Sequence, residues 1–549
     1  MSQNILVAVA WPYASGSLHL GHLAGAYLPA DIFARYHRLA GNKVLMVSGS
    51  DGHGTPITVR ADQEGISPQE IVDRYHPEIL GYWDSVGISF DLFTTTLTEN
   101  HRQVTWDIFR AHRAKGTIVE GESLQFYDPE AGRFLPDRYV EGTCPHCGYP
   151  RARGDQCDNC GRTLDPTDLL NPRSRLSGAT PVQRSTKHWF LRLGAFAEEV
   201  KAWLESKTGW RRHVKNWALG MIEEGLPDRA ITRDLAWGVP IPPEADTLGE
   251  GKRIYVWFEA VIGYLSAAKE WAAIQGTPEA WRDWWQNPDA RSYYFVGKDN
   301  IPFHAVIWPA MLMGYGEHNL PTDVPANQYV TFKGSKASKS LGVGRSIGWY
   351  SERLEPDALR FAIASILPEQ NDTDLTDDEI IRRINEELVA TWGNLVNRVL
   401  TLTSRNFDHQ VPEPGSLNQV DEEVIAIVDT TLTTVGRLIS EVELRGGLRA
   451  AMEAASAVNV YLNSTEPWKL VSTDRDRAAT VLYTACAAIS GLGVAFSPYL
   501  PFTSPRVSEM LGTGPVAEWS RPKLTPGREL GEIAPLFQKI SDDILSEDA

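Results

Sequence analysis

Two histidines, an aspartate, two lysines and two C-x-x-C pairs carry most of the chemistry legible in this chain. His19 and His22 flank Leu20-Gly21 at the end of Pro12-Tyr13-Ala14-Ser15-Gly16-Ser17-Leu18, where an apolar run gives way to helical spacing. Imidazoles at such a helix mouth can donate hydrogen bonds to phosphate oxygens as charge builds in a transition state. Gly21 has no Cβ, so a flat ring such as adenine can lie on its backbone. Asp51, in Ser48-Gly49-Ser50-Asp51-Gly52-His53-Gly54, could take a cationic group such as an amino group. Further on, Lys336-Ala337-Ser338-Lys339-Ser340 sits between Gly334 and Gly342. A hydrophilic cationic loop of this kind can close over a polyphosphate and neutralise its leaving oxygens. Singly, each feature has a plainer reading: capping histidines, a turn aspartate, a basic linker.

Four of the five cysteines, Cys144, Cys147, Cys157 and Cys160, fall in one short segment. A glycine follows each pair, Gly148 and Gly161, and permits the tight turn that presents both sulfurs. Four thiolates with no open position describe a structural zinc site rather than a catalytic one. Disulfides are the competing reading, disfavoured in a cytosolic chain. His146 is expected to be a bystander, and Cys486, in an apolar helical stretch, buried and inert.

These groups need a scaffold. Ile5–Ala10 reads as a buried strand, and Leu23, Tyr27, Ile32, Tyr36 and Leu39 follow at helical spacing. Val44–Val47 is a second strand, which completes a βαβ unit and sets the Asp51 loop beside the histidine turn, where open α/β sheets bind ligands. Residues 116–229 read as an insertion of short strands and turns. The pattern resumes at Tyr255–Tyr264, a strand running into a helix, and at Tyr293–Val296, a strand ending in Gly297-Lys298-Asp299. A helix from Pro302 carries Phe303, His304 and Trp308, and Tyr329–Phe332 leads into the lysine loop. From about residue 376 the pattern is helical to the end, with segments at 424–442, 448–462, 474–495 and 529–545 that suggest an antiparallel bundle. The expected fold is α/β: a Rossmann-type parallel sheet in two halves, 1–115 and 230–322, a zinc-knuckle connective insertion at 116–229, a loop and stem-contact region at 323–385, and a C-terminal helical bundle at 386–549.

At 549 residues the chain is too long for one core. A net charge of −17 argues against blanket electrostatic binding to nucleic acid. Local basic patches remain, at Arg151, Arg153 and Arg162, at Arg173 and Arg175, and at Arg211, Arg212 and Lys215. Mean hydropathy is −0.27, no run of 18 apolar residues stands out, and the N-terminus enters a strand without the regions of a signal peptide, so no membrane association and a cytoplasmic location are expected.

The histidine pair early, the Lys-x-Ser-Lys-Ser loop late and a zinc knuckle between them resemble, in that order, the class I aminoacyl-tRNA synthetases, and within them the methionyl family. His19-Leu20-Gly21-His22 matches the HIGH signature that binds ATP, and Lys336–Ser340 matches the KMSKS loop, with Lys339 at the lysine that stabilises the activation transition state. The resemblance implies His19, His22, Lys336 and Lys339 as catalytic groups, with Gly21, Gly297, Asp299 and Ser338 joining them around ATP and Mg²⁺. It implies a methionine pocket of Ala10, Trp11, Tyr13, Trp257, Ala260, Tyr264 and His304, with Asp51 on the amino group. It also implies that Asn394, Arg398 and Trp468 read the CAU anticodon of tRNA(Met). No appended dimerisation domain follows the bundle, so a monomer is expected.

The sequence departs from the family at four places. Ala337 replaces the loop methionine, Trp11 a leucine, Val261 a proline and Asn300 an apolar residue. An indole at position 11 needs either a reshaped pocket, expected through Val261 and Asn300, or a ring turned outward toward the edge of the bound ligand. The isoleucine, leucine and valine enzymes of the class resemble longer chains with an editing insertion, for which residues 116–229 leave no room. A cysteine enzyme would use a metal inside its active site. A tRNA-binding protein without catalysis has no need of the histidines and loop lysines.

Overall fold

The computed structural model describes residues 2–249, 251–332, 335–336 as backbone only, and 344–546. Five parallel strands form the central sheet: β1 (Asn4–Val9), β2 (Lys43–Ser50), β3 (Leu92–Thr95), β4 (Arg291–Gly297) and β5 (Ala326–Asn327), in the order β5-β4-β1-β2-β3. Ile5 pairs with Val44 on one side and Arg291 on the other. Both faces are covered, which explains why the strands read as continuous apolar runs. Ile5, Val7 and Val9 enter a core shared with the helix Leu28–Leu39 and the C-terminal bundle, while Leu6 and Ala8 pack with Leu45, Val47, Tyr294 and Val296 on the opposite face.

The helices that leave β1 and β4 both begin irregularly. Leu23–Tyr27 and Phe303–Ile307 are π-helical turns, each continuing into α-helix, at Leu28 and Trp308. Such single-turn bulges re-aim side chains and are frequent at functional sites. Here Gly25, Ala26 and Tyr27 of the first and His304 of the second line one cavity.

Between the sheet halves, Ile118–Asp128 pairs antiparallel with Val182–Leu191 over ten residues, from Ile118↔Leu191 to Tyr127↔Val182. The sequence suggests only short strands there. Glu120, Glu122, Leu124, Arg184 and Ser185 are all exposed, so no apolar alternation marks this ribbon. The four cysteines lie beyond it, beside a small sheet at Val140–Thr143.

The bundle contains Gln419–Ser440, Leu444–Thr465 and Arg475–Phe496. The last has a window of mean hydropathy 1.7, and is the one helix among the described residues long and apolar enough to cross a membrane; 94% of that window is buried, as befits a central core helix. Fully buried Arg360 donates to Asp31 at 2.7 Å and to the carbonyls of Val86, Pro498 and Tyr499, joining the sheet domain to the bundle. The helix expected at 529–545 is absent. Gly531 and Pro535 interrupt it, and the segment instead buries Leu530, Leu536, Phe537 and Leu545 one by one.

Candidate functional site

A cavity of about 630 Å³ opens at the carboxyl end of the sheet and reaches the cysteine segment. Ala10, Trp11, Tyr13, His19, Gly21, His22, Asp51, Trp257, Ala260, Tyr264, Gly297, Asp299 and His304 all line it. Lys336 is described only as backbone, in a two-residue strand antiparallel to Thr331–Phe332. Ser338 and Lys339 lie outside the described residues.

The two histidines cap their own helix. His19 Nδ1 accepts from the Gly21 N–H at 3.1 Å, and His22 Nδ1 accepts from the His19 N–H at 3.2 Å. An amide N–H only donates, so both Nδ1 atoms are acceptors and in each neutral ring the proton sits on Nε2. The rings lie with centroids 3.9 Å apart. The plain reading of capping histidines leaves the catalytic one open: the cap fixes the tautomer, and the tautomer makes Nε2–H the donor of each ring at a helix N-terminus, where an anion is favoured.

Asp51 is 3% exposed and follows β2, held to the first turn by Asp51 N–H to Pro12 O at 2.8 Å and Ala14 N–H to Asp51 O at 3.0 Å. Burial, then the neighbouring Glu259 carboxylate, push its acid well above the ordinary range. A ligand ammonium would restore its charge. Tyr13 packs on Gly54, where a Cβ would stand 2.0 Å from Tyr13 Cε1. Its ring meets Trp257 edge-on at 6.3 Å, and Trp257 stacks on Phe303 at 3.9 Å and 10°.

His304 sits in the second π turn. Its Nδ1 lies 2.9 Å from Asn300 O and so carries the proton, which leaves Nε2 to accept from the Tyr264 hydroxyl at 2.7 Å. Burial lowers the His304 pKa to about 4, so the ring is neutral. Together these groups form an apolar, aromatic wall suited to a polarizable side chain. Gly49 and Gly263 give the Trp11 indole room: a Cβ at either glycine would stand 2.4 or 2.7 Å from the ring. Val261 and Asn300 line the same cavity.

On another wall of the cavity, β4 ends at Gly297, and a Cβ there would stand 2.7 Å from Asp299 Oδ1. Glycine lets the Asp299 carboxylate fold back over the strand end. Gln156, beside Cys157, donates to Asp299 O at 3.1 Å, and Arg138 lies over the Tyr13 ring at 5.6 Å. Neither contact carries a sequence signal, because both join segments more than a hundred residues apart.

The four sulfurs all lie within 4.8 Å of one another, with Cys147 and Cys157 at 3.6 Å and Cys144 and Cys160 at 4.0 Å. A disulfide needs about 2.05 Å. A tetrahedron of zinc–sulfur bonds of about 2.3 Å has edges near ~3.8 Å, which these distances match. Gly148 and Gly161 both adopt φ of 72° at the knuckle turns. His146 is exposed, its Nδ1 beside Arg162.

Far from the cavity, the Arg398 guanidinium lies 5.3 Å from the Trp468 ring centre and donates to Asn463 at 2.9 Å. Asn394 stands one turn before Arg398 on the same helix, Asn394–Asn406. Glu466, at φ 43°, ends one helix and starts the next, which presents Trp468 40% exposed.

The comparisons with known proteins agree with this arrangement. A family model described as tRNA synthetases class I (M) matches residues 5–400, and one for the anticodon binding domain of methionyl tRNA ligase matches residues 411–548. The methionine–tRNA ligase of Chloroflexus aurantiacus is 49% identical over all of this chain and 98% of its own length. That of Dehalococcoides mccartyi is 50% identical over all of this chain and 99% of its own. Methionyl-tRNA synthetase of Mycobacterium tuberculosis, solved in complex with methionyl-adenylate, superposes with a TM-score of 0.80 at 25% identity, covering 98% of this chain and 100% of that one. The chain belongs to the methionyl-tRNA ligases of the class I tRNA synthetases.

Proposed function

We propose that this protein is a methionine–tRNA ligase that activates methionine with ATP to methionyl-adenylate and transfers it to the 3′ end of tRNA(Met). The observation that carries the reading is one cavity holding a buried carboxylate, an aromatic wall and two Nε2–H donors at a helix mouth.

In this reading Asp51 takes the methionine ammonium, and the thioether lies against Trp11, Tyr13, Trp257, Ala260, Tyr264 and His304. The methionine carboxylate attacks the ATP α-phosphorus, the bond to the bridging oxygen breaks, and pyrophosphate leaves with the electron pair. The chain's work is positioning and charge stabilisation. His19 and His22 donate to phosphate oxygens from one side, Lys336 and Lys339 close from the other, and Gly21, Gly297, Asp299 and Ser338 hold the nucleotide. Mg²⁺, when bound with ATP, neutralises further phosphate charge. A terminal ribose hydroxyl of the tRNA then attacks the methionyl carbonyl and releases AMP.

Cys144, Cys147, Cys157 and Cys160 hold one structural Zn²⁺, supported by the match between sulfur spacing and a tetrahedral site. Asn394, Arg398 and Trp468 read the CAU anticodon, supported by the solvent-facing Arg398–Trp468 pair. Residues 1–115 and 230–322 act as one catalytic domain, 116–229 as its connective insertion, 323–385 as the stem contact and 386–549 as the anticodon domain, in a cytoplasmic monomer. Incubation with methionine, ATP and a tRNA(Met) transcript tests the reading: methionyl-tRNA should form over many turnovers, and its absence with folded protein overturns it.

A further inference from the structure

One buried ionic cluster has no task in this mechanism. Glu259 lies in the first turn of the helix Val256–Ile274, between Trp257 and Ala260, and is fully buried. Its Oε1 is 3.1 Å from His53 Nδ1 and its Oε2 is 2.5 Å from His101 Nε2. His101 is itself 1% exposed. Burying a carboxylate costs several kcal/mol, offset only by close pairing, so a helix position between two pocket residues would be cheaper to fill with an apolar side chain.

The hydrogen-bond pattern places the protons. Ser266 Oγ donates to Gly263 O at 3.0 Å, so toward His101 Nδ1, at 2.9 Å, it accepts. His101 therefore donates from Nδ1, and a second proton is shared between its Nε2 and Glu259. Although burial alone would raise the Glu259 acid, the two histidines outweigh it and hold it below the ordinary carboxylate range.

The second oxygen reaches the substrate side. The His53 ring meets Glu259, while the His53 backbone N–H donates to Asp51 Oδ1 at 3.1 Å. One residue thus links the helix that carries Trp257 and Ala260 to the carboxylate on the loop after β2. From the other side, Trp237 Nε1 donates to Gly52 O at 2.7 Å, a second tie on the same loop.

We propose that Glu259 is a positioning residue for the substrate's amino group: through His53 it fixes Asp51 relative to Trp257 and Ala260, and so sets the spacing at which the site takes an α-ammonium and an apolar side chain together. This rests on the reading of Asp51 as the ammonium anchor. It goes beyond a structural role because it predicts a loss confined to ligands that carry the amino group.

The test uses the full chain with Glu259→Gln, His53→Ala, the double variant and Asp51→Asn. ATP–pyrophosphate exchange gives KM for methionine and for ATP, and inhibition by 4-(methylthio)butanoic acid, which is methionine without its amino group, gives the second readout. Glu259→Gln and His53→Ala should each raise the methionine KM about tenfold or more. The ATP KM, kcat and the inhibition constant of the des-amino acid should stay within about twofold of wild type. The double variant should be no worse than the worse single, as expected for one chain of contacts. His53→Ala changes a partly accessible side chain and carries the test if Glu259→Gln does not fold. If the folded variants keep the wild-type methionine KM while Asp51→Asn loses it, the positioning role is overturned and the anchor stands. If Asp51→Asn itself spares methionine, the anchor reading fails, and this inference with it. If the des-amino acid weakens in step with methionine, Glu259 merely supports the pocket wall and the proposal is wrong.

Discussion

Trp11 and Gly263 divide one volume between them. A Cβ on Gly263 would stand 2.7 Å from the indole, and one on Gly49, across the ring, 2.4 Å from it. The bulky residue is admitted because two facing elements, the helix Val256–Ile274 and β2, give up their side chains at that level.

Gly263→Ala should therefore disturb the pocket. Overfilling a packed site costs about 1–3 kcal/mol, which would appear as a lowered melting temperature and a raised methionine KM. Trp11→Leu in the same chain should reverse both. Alone, Trp11→Leu should admit longer methionine analogues in the exchange assay while keeping methionine. An analogue profile identical to wild type would mean that Trp11 is only a wall.

The cysteine cluster predicts one zinc per chain. Metal analysis of protein purified without chelator should return that stoichiometry, and Cys157→Ser should lose it. The same variant should become more sensitive to limited proteolysis within residues 116–229, with the sheet still folded. Because Gln156 bridges the knuckle to Asp299, activation should fall as well. Protein with no stoichiometric zinc and full activity would remove the assignment.

How much of this was legible beforehand depended on where the partner residues lay. The strands of the central sheet, the histidine turn and the knuckle are local patterns, each contained in one short segment, and each stands where its spacing placed it. The strand expected at the start of Tyr255–Tyr264 lies instead at Lys252–Ile254, and Val256 already begins the helix, because the aromatic run packs as one helical face. The Arg398–Trp468 pair, proposed to read the anticodon, follows only from resemblance, since the two residues are seventy positions apart and leave no periodic trace. Nothing marked Gly49 and Gly263 as the counterpart of Trp11, because a glycine's use as empty space shows only when something fills it. Nothing singles out Glu259 within the aromatic run Tyr255–Tyr264, because His53 and His101 are distant in the chain. The tail at 529–545 misled in the other direction: Leu530, Ile533, Leu536, Phe537 and Ile540 have helical spacing, but Gly531 and Pro535 outweigh it.

Lys339 lies outside the described residues, so its prediction rests on the sequence. If it stabilises the transition state, Lys339→Ala should cost about 3 kcal/mol of activation, roughly a hundredfold in rate, with a much smaller effect on ATP binding. Pre-steady-state adenylate formation across ATP concentrations separates the two. Equal losses in rate and binding would make the loop a static ATP site.

Trp468→Ala should damage tRNA charging and leave methionine adenylation intact. Stacking of a base on an exposed indole contributes about 1–3 kcal/mol, and Arg398 against the ring adds to it. In wild type, changing the CAU anticodon should depress charging strongly; in the variant that penalty should shrink. An undiminished penalty would move anticodon reading elsewhere on the bundle.

Methionine activation at this site is tested outright by ATP–pyrophosphate exchange with each of the twenty amino acids in the absence of tRNA. Robust exchange is expected with methionine alone, abolished by Asp51→Asn and strongly reduced by His22→Ala. Exchange supported by a different amino acid, or by none in folded protein, would contradict it.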